Sequence, residues 1–136
     1  MSKENRKICA TVLAIYAIVF FVLAVLCREP YEEKAVLLNL FHNYSKDTGN
    51  IQDVIINIAA FVPIGLLLGM ISGRYRVLKA LFFGFLFSLF VEVTQLISHC
   101  GVFDVDDLFN NSLGALIGGV IATIVVGIIH RYKNKR

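Results

Sequence analysis

The chain has 136 residues and a formal net charge of +3, and 57% of its residues are hydrophobic. Together with a mean hydropathy of +0.74 and no tryptophan, this composition is outside the range of ordinary soluble domains. It favours a single membrane-embedded domain over residues 1–136. A net charge this small, in a chain this apolar, argues against a nucleic-acid partner.

Four apolar runs follow one another along the chain, at residues 8–26, 54–72, 77–98 and 108–129. Each is close to the roughly 20 residues that a helix needs to cross the hydrocarbon core of a bilayer. The runs therefore predict an all-α fold. We expect a polytopic four-helix bundle that is embedded in the lipid bilayer.

The basic residues alternate between the two ends of these predicted helices. Ten of the thirteen Lys and Arg residues lie before the first run, between the second and third or at the start of the third (Lys79), or after the fourth, whereas only Arg28, Lys34 and Lys46 lie in the other two connections. The positive-inside rule then places both termini in the cytoplasm and the two acidic connections outside. We expect a multi-pass protein of the cell membrane with this orientation.

The longest connection, residues 28–52, mixes charged residues with Leu37, Leu38, Leu40 and Phe41. This pattern is typical of an interfacial helix at the outer membrane surface. A loop that only caps the bundle is the alternative.

Small residues mark the close-packing faces of the second and fourth helices. Gly65 and Gly69 follow each other at a spacing of four, as do Gly114 and Gly118. This small-xxx-small pattern lets helices approach closely, so we expect these glycines to face neighbouring helices.

Glu92 stands within the third apolar run, about 9 Å from its outer end at a rise of 1.5 Å per residue. An ionisable residue at such a depth is costly without a partner or a purpose, so it is a functional candidate by default. Gln95 lies on the same helix face.

Further acids and amides lie at the same end of the neighbouring helices. The connection before the fourth helix is short, so the third and fourth helices must be antiparallel neighbours. We therefore predict one cluster centred on Glu92 and opening to the outer leaflet. Its candidate catalytic residues are Glu92, Gln95, Asp104 and Asp107, and its candidate ligand-binding residues are Asp53, Asn57, Asp106 and Asn111.

Several acids close together near lipid repel one another unless they are protonated, hydrogen-bonded or joined by a cation. A divalent cation held by Glu92, Asp104 and Asp107 is one such arrangement. Cys9, Cys27 and Cys100 lack the spacing of a zinc or redox site, and a disulfide between Cys27 and Cys100 would need Cα atoms roughly 4.4–6.8 Å apart.

The order of these motifs resembles the VanZ-like family of small bacterial membrane proteins. The resemblance rests on N-x-x-x-F-x-P-x-G from Asn57 to Gly65, on E-x-x-Q at Glu92 and Gln95, and on F-D-V-D-D-x-x-x-N-x-x-G-A-x-x-G from Phe103 to Gly118. It implies a protein of the bacterial cell envelope. The founding member of that family is associated with low-level resistance to teicoplanin, a lipoglycopeptide. One position differs, because Cys100, beside His99, stands where many members have an arginine.

Three functions remain open at this point. The chain could bind or modify an envelope amphiphile, such as a lipid-linked wall precursor or a lipoglycopeptide. It could instead be a membrane enzyme in which Glu92 acts as a general acid or base. In the third interpretation the polar groups only hydrogen-bond the helices to one another.

Overall fold

The structure is a computed structural model that describes residues 2–27, 36–44 and 51–134. Four long helices dominate it, and two very short strands accompany them. The helices are α1 (Lys3–Phe21, continued by a π-helical turn at Val22–Leu26), α2 (Ile51–Ile71), α3 (Arg76–Ser98) and α4 (Val105–Lys133); the strands are β1 (Val36–Leu37) and β2 (Phe103–Asp104).

All four helices are long and apolar enough to cross a membrane. The predicted all-helical fold with four candidate membrane spans is therefore confirmed, while the sidedness of the termini stays a prediction. We call the end of the bundle that carries residues 98–105 the distal end, and the end that carries the chain termini the terminal end.

The helix boundaries differ slightly from the predicted ones because capping groups extend two helices. The Ser2 side chain accepts a hydrogen bond from the Asn5 N–H and starts α1 at Lys3. Asp104 caps α4 in the same way through the Asp106 N–H, at 2.8 Å. Asp106 and Asp107 therefore belong to the first turn of α4, where negative charge is favourable, and not to a connection.

Glycines allow α2 and α4 to pack closely and in the same direction. A Cβ atom at Gly114 would overlap the Ile58 carbonyl, and one at Gly118 would overlap the Val62 carbonyl. Further along the two helices, a Cβ at Gly69 would lie only 2.6 Å from the Ala122 Cβ. Gly65 likewise faces the α4 backbone at Ala115, so the prediction that the four glycines face neighbouring helices is confirmed.

The apolar core lies in the middle of the bundle, where α1 joins the other three helices. Phe61, Ile64 and Ala115 are buried there. The Phe20 ring from α1 packs edge-on against Phe61, with 5.3 Å between centroids. The Tyr16 hydroxyl of α1 donates to the Ala60 carbonyl of α2 at 3.0 Å. Outside these contacts α1 is largely exposed along its length.

The long connection forms a small irregular structure over residues 36–44. β1 pairs in parallel with β2, so that Val36 lies beside Phe103, and a 3-10 turn follows at His42–Tyr44. No α-helix is present in this described part of the connection, where the interfacial helix was expected. The remainder of that predicted helix lies outside the described residues.

Candidate functional site

The distal end holds a network of buried carboxylates and amides contributed by α2, α3, α4 and the segment 36–44. Glu92 is central to it and is only 3% exposed. Its Oε2 accepts a hydrogen bond from the Asp104 backbone N–H at 3.1 Å. Glu92 thus joins the last turns of α3 to the residue that caps α4, as the predicted antiparallel pairing requires.

Asp106 is completely buried and binds backbone groups of the segment 36–44. Its Oδ1 accepts the Phe41 N–H, and its Oδ2 accepts the Asn43 N–H at 2.8 Å. Phe41 has a φ of +69°, a left-handed conformation that a bulky residue rarely adopts. The bidentate contact to Asp106 therefore accompanies a strained turn and ties it to the start of α4.

Two further side chains from this segment enter the network. The Asn43 Nδ2 donates to Asp104 Oδ2 at 3.2 Å, and the Tyr44 hydroxyl donates to Asn110 Oδ1 at 2.6 Å. Sequence analysis assigned no role to Asn43 or Tyr44. One sequence feature could have indicated that α4 presents polar groups to another segment here. Asp106 and Asn110 lie one helical turn apart, on one face of α4.

Asn57 and Asp107 connect α2 to α4. The Asn57 Nδ2 donates to Asp107 Oδ1 at 2.6 Å, and both residues are half-buried. One turn further along α4, the Asn111 Nδ2 donates to the Ser88 hydroxyl of α3 at 2.9 Å. These contacts involve six of the eight predicted residues in three hydrogen-bonded groups at the distal end, namely Glu92 with Asp104 and Asp106, Asn57 with Asp107, and Asn111 with Ser88.

Two predicted residues lie apart from this network. Gln95 is buried, but its amide donates to the Ala24 carbonyl at 2.9 Å and so faces the π-helical turn after α1. That turn leaves carbonyls outside the regular α-helical pattern, which gives the amide an acceptor. Asp53 is exposed in the first turn of α2. His99, beside Cys100 at the end of α3, is also exposed.

Neutral donors stabilise the acids. Each of Glu92, Asp104, Asp106 and Asp107 accepts at least one hydrogen bond from a backbone N–H or a side-chain amide. Hydrogen bonds to an ionised carboxylate are among the stronger ones in proteins. The network therefore explains how several acids share a small volume close to lipid.

The network retains some unused hydrogen-bonding capacity on α4. Within the described residues, Asn110 Nδ2 and Asn111 Oδ1 are buried without a partner.

The described residues contain no group of three or more His, Cys, Asp or Glu side chains arranged to hold a metal ion. The arrangement of Glu92, Asp104 and Asp107 thus gives no support to the predicted divalent cation. All three cysteines are free thiols.

A groove of about 430 Å³ runs beside the network on the outer face of α3 and α4. At the distal end it is lined by Leu40 and Val105, and deeper in the bundle by Phe85, Leu81 and Leu116. Val105 and Leu116 are about 16 Å apart along the helix axis at 1.5 Å per residue. The groove is therefore apolar, elongated and adjacent to the polar network at one end.

Comparison with known proteins identifies the family. A sequence profile described as VanZ/LLP1 matches residues 8–126, which is most of the chain and includes all or most of each candidate span. The chain belongs to the VanZ/LLP1 family. The predicted resemblance is thereby confirmed.

A curated VanZ-family relative, Protein VanZ of Enterococcus faecium, is 29% identical to this chain over 89 residues. The match covers 65% of this chain but only 53% of the relative, so the aligned part spans about half of that protein's length. No solved structure matches this VanZ-family chain.

Proposed function

We propose that this chain is a binding protein for an acylated envelope amphiphile and that it confers low-level resistance to a lipoglycopeptide such as teicoplanin. Membership of the VanZ/LLP1 family and similarity to Protein VanZ support an envelope and resistance role. The observation that carries the binding proposal is the apolar groove between α3 and α4, whose distal lining residues Leu40 and Val105 are chain neighbours of the network residues Phe41 and Asp106.

The groove suits the apolar part of such a ligand. Its lining runs from Val105 at the first turn of α4 to Leu116, and a linear acyl chain can lie along a groove of this shape. Burying an alkyl chain stabilises a complex by roughly 0.8 kcal/mol per CH₂ group when the chain comes from water. For a chain that comes from lipid this gain is small, so headgroup contacts at the distal end would provide selectivity.

The polar network suits the headgroup end. The half-buried pair Asn57 and Asp107 offers carboxylate and amide groups to a ligand rich in hydroxyl and amide donors, such as a glycopeptide. The positive-inside rule predicts that the distal end lies outside the cell, where cell-wall precursors and glycopeptides meet the membrane. In this proposal Glu92, Asp104 and Asp106 hold the site together, and Asn57 and Asp107, on the α2 side of α4, contact the part of a headgroup that extends across the distal end.

Tryptophan substitutions test the proposal, because the natural chain contains no tryptophan. Leu116→Trp fills part of the groove and introduces a single tryptophan there, whose emission can be excited selectively over that of the five tyrosines. Ile117→Trp is the matched control, since Ile117 is the next residue on α4, is exposed and does not line the groove. Both variants and the natural chain are expressed at equal membrane levels in a susceptible Gram-positive host.

We expect the natural chain and Ile117→Trp to raise the inhibitory concentration of teicoplanin, and Leu116→Trp to lose most of that increase. A glycopeptide without an acyl chain should show a smaller increase with every variant. In purified samples, an amphiphile with a brominated acyl chain should quench the fluorescence of Leu116→Trp more than that of Ile117→Trp. Equal resistance and equal quenching for the two variants would refute the groove as the binding site.

A further inference from the structure

The terminal end carries a second groove, of about 400 Å³, between the start of α3 and the last turns of α4. Three basic side chains line it, those of Arg76, His130 and Lys133. Val126 provides an apolar wall, and Gly127 leaves open space, because a Cβ atom there would meet nothing within 4 Å. The groove therefore combines positive charge with an apolar flank that continues toward the membrane interior.

Arg76 is partly immobilised and retains donors for a ligand. Its Nη1 donates to the Gly73 carbonyl, which holds the guanidinium near the turn between α2 and α3. Its Nε–H is buried and has no partner among the described residues. A guanidinium offers five N–H donors in a planar fork, and the Nε edge can bind two oxygens of a phosphate at once.

The start of α3 adds further donors. Arg76 is the first residue of this 23-residue helix, and the Tyr75 side chain before it forms no capping hydrogen bond. The first N–H groups of a helix lack acceptors within the helix, and the helix dipole favours an anion beside them. The unpartnered Nε–H of Arg76 and the uncapped helix start thus belong to the same residue.

Acidic side chains scarcely compete for these cations. Glu4 is the only acid among the described residues of the terminal end. It is exposed in the first turn of α1 and does not line the groove. The other acids that the structure describes lie in the distal halves of the helices or at the distal end, namely Asp53, Glu92, Asp104, Asp106 and Asp107. The positive charge of Arg76 and Lys133 is therefore available to an external anion.

From these observations we infer that the groove between α3 and α4 at the terminal end binds the phosphate headgroup of an anionic phospholipid. The Arg76 fork and the Lys133 ammonium bind the phosphate oxygens, and Val126 contacts the upper part of an acyl chain. Basic pockets between membrane helices are known to bind anionic lipid headgroups in this way. This site is independent of the proposed function at the distal end.

The test uses the full chain purified in a mild detergent and titrated with phosphatidylglycerol, with native mass spectrometry as the readout of bound lipid. Arg76→Gln and Lys133→Gln remove one cation each from the groove. Arg74→Gln is the matched control, because Arg74 lies two residues from Arg76 but stacks over the Tyr75 ring, 4.7 Å from its centroid, and does not line the groove. Phosphatidylcholine and inorganic phosphate serve as alternative probes, and thermal unfolding checks that each variant is folded.

We expect phosphatidylglycerol to bind in preference to phosphatidylcholine, and Arg76→Gln and Lys133→Gln each to weaken that binding on the order of tenfold, as the loss of one charge-assisted hydrogen bond predicts. Arg74→Gln should leave it unchanged. If Arg74→Gln weakens binding as much as Arg76→Gln, the attraction is a diffuse surface effect and the site is refuted. Equal binding of phosphatidylcholine, or full competition by inorganic phosphate at the same concentration, would also refute a phospholipid site.

Discussion

The Asp106 carboxylate and the Asn43 backbone N–H lie 2.8 Å apart although 63 residues separate them in the sequence. The second oxygen of the same carboxylate accepts the Phe41 N–H. One buried acid therefore fixes the segment 36–44 against the first turn of α4. This contact makes the distal end a folded surface and not merely the meeting point of four helices.

Replacing Asp106 should release this segment. In Asp106→Asn one of the two backbone N–H groups loses its acceptor, which costs about 1–3 kcal/mol of unfolding free energy. We expect a lower midpoint of thermal unfolding in detergent and faster proteolysis within residues 36–44. Asp53→Asn is the control, because Asp53 is exposed in the first turn of α2 and should tolerate the same chemical change. An unchanged proteolysis rate in Asp106→Asn would contradict the anchoring role.

Glu92 is expected to respond differently to an isosteric and an apolar substitution. The amide oxygen in Glu92→Gln still accepts the Asp104 N–H, whereas Glu92→Leu leaves that buried donor without this acceptor and should cost about 1–3 kcal/mol. Unfolding of the two variants in the same detergent checks this difference. Equal stability of both variants would show that the bond contributes little.

The Glu92→Gln variant also distinguishes a binding protein from an enzyme. If the chain is a binding protein, Glu92→Gln should retain resistance in proportion to its level in the membrane. An enzyme that uses Glu92 as a general acid or base would lose its activity in Glu92→Gln although the protein is folded. Teicoplanin susceptibility, normalised to the amount of membrane-inserted protein, distinguishes the two outcomes.

Alanine substitutions at Gly118 and at Gly127 should have opposite effects on the stability of the bundle. Gly118→Ala places a methyl group against the Val62 carbonyl and should destabilise the bundle by about 1–3 kcal/mol through overpacking. Gly127→Ala meets nothing within 4 Å and should be neutral or stabilise α4 by up to about 1 kcal/mol through helix propensity. Thermal unfolding of both variants tests this contrast, and a stable Gly118→Ala variant would refute the close contact.

The distribution of basic residues predicts the orientation of the chain in the membrane. Because the basic residues concentrate at the terminal end, both termini should lie in the cytoplasm. A phosphatase that is active only outside the cell should be inactive when fused after residue 136 and active when inserted within residues 45–50. The reverse pattern would move the polar network to the inner side and remove the basis for a glycopeptide ligand.

The sequence by itself determined the four helices and the pairing of α3 with α4. Apolar runs of about 20 residues have to form helices in a bilayer, because lipid cannot satisfy backbone hydrogen bonds, and a short connection forces neighbouring helices to be antiparallel. The depth and burial of Glu92 followed from the same reasoning. Family membership could be predicted too, since the polar motifs on three helices keep a recognisable order.

Only the tertiary structure decided which partner each polar group has. Gln95 and Glu92 share one face of α3, yet Gln95 donates to the Ala24 carbonyl and Glu92 accepts from Asp104. Asp106 looked like one acid among several, and its partners lie in a segment whose irregular backbone has no sequence periodicity to reveal it. A hydrogen bond depends on atomic positions within about 3 Å, whereas periodicity gives only the face of a helix.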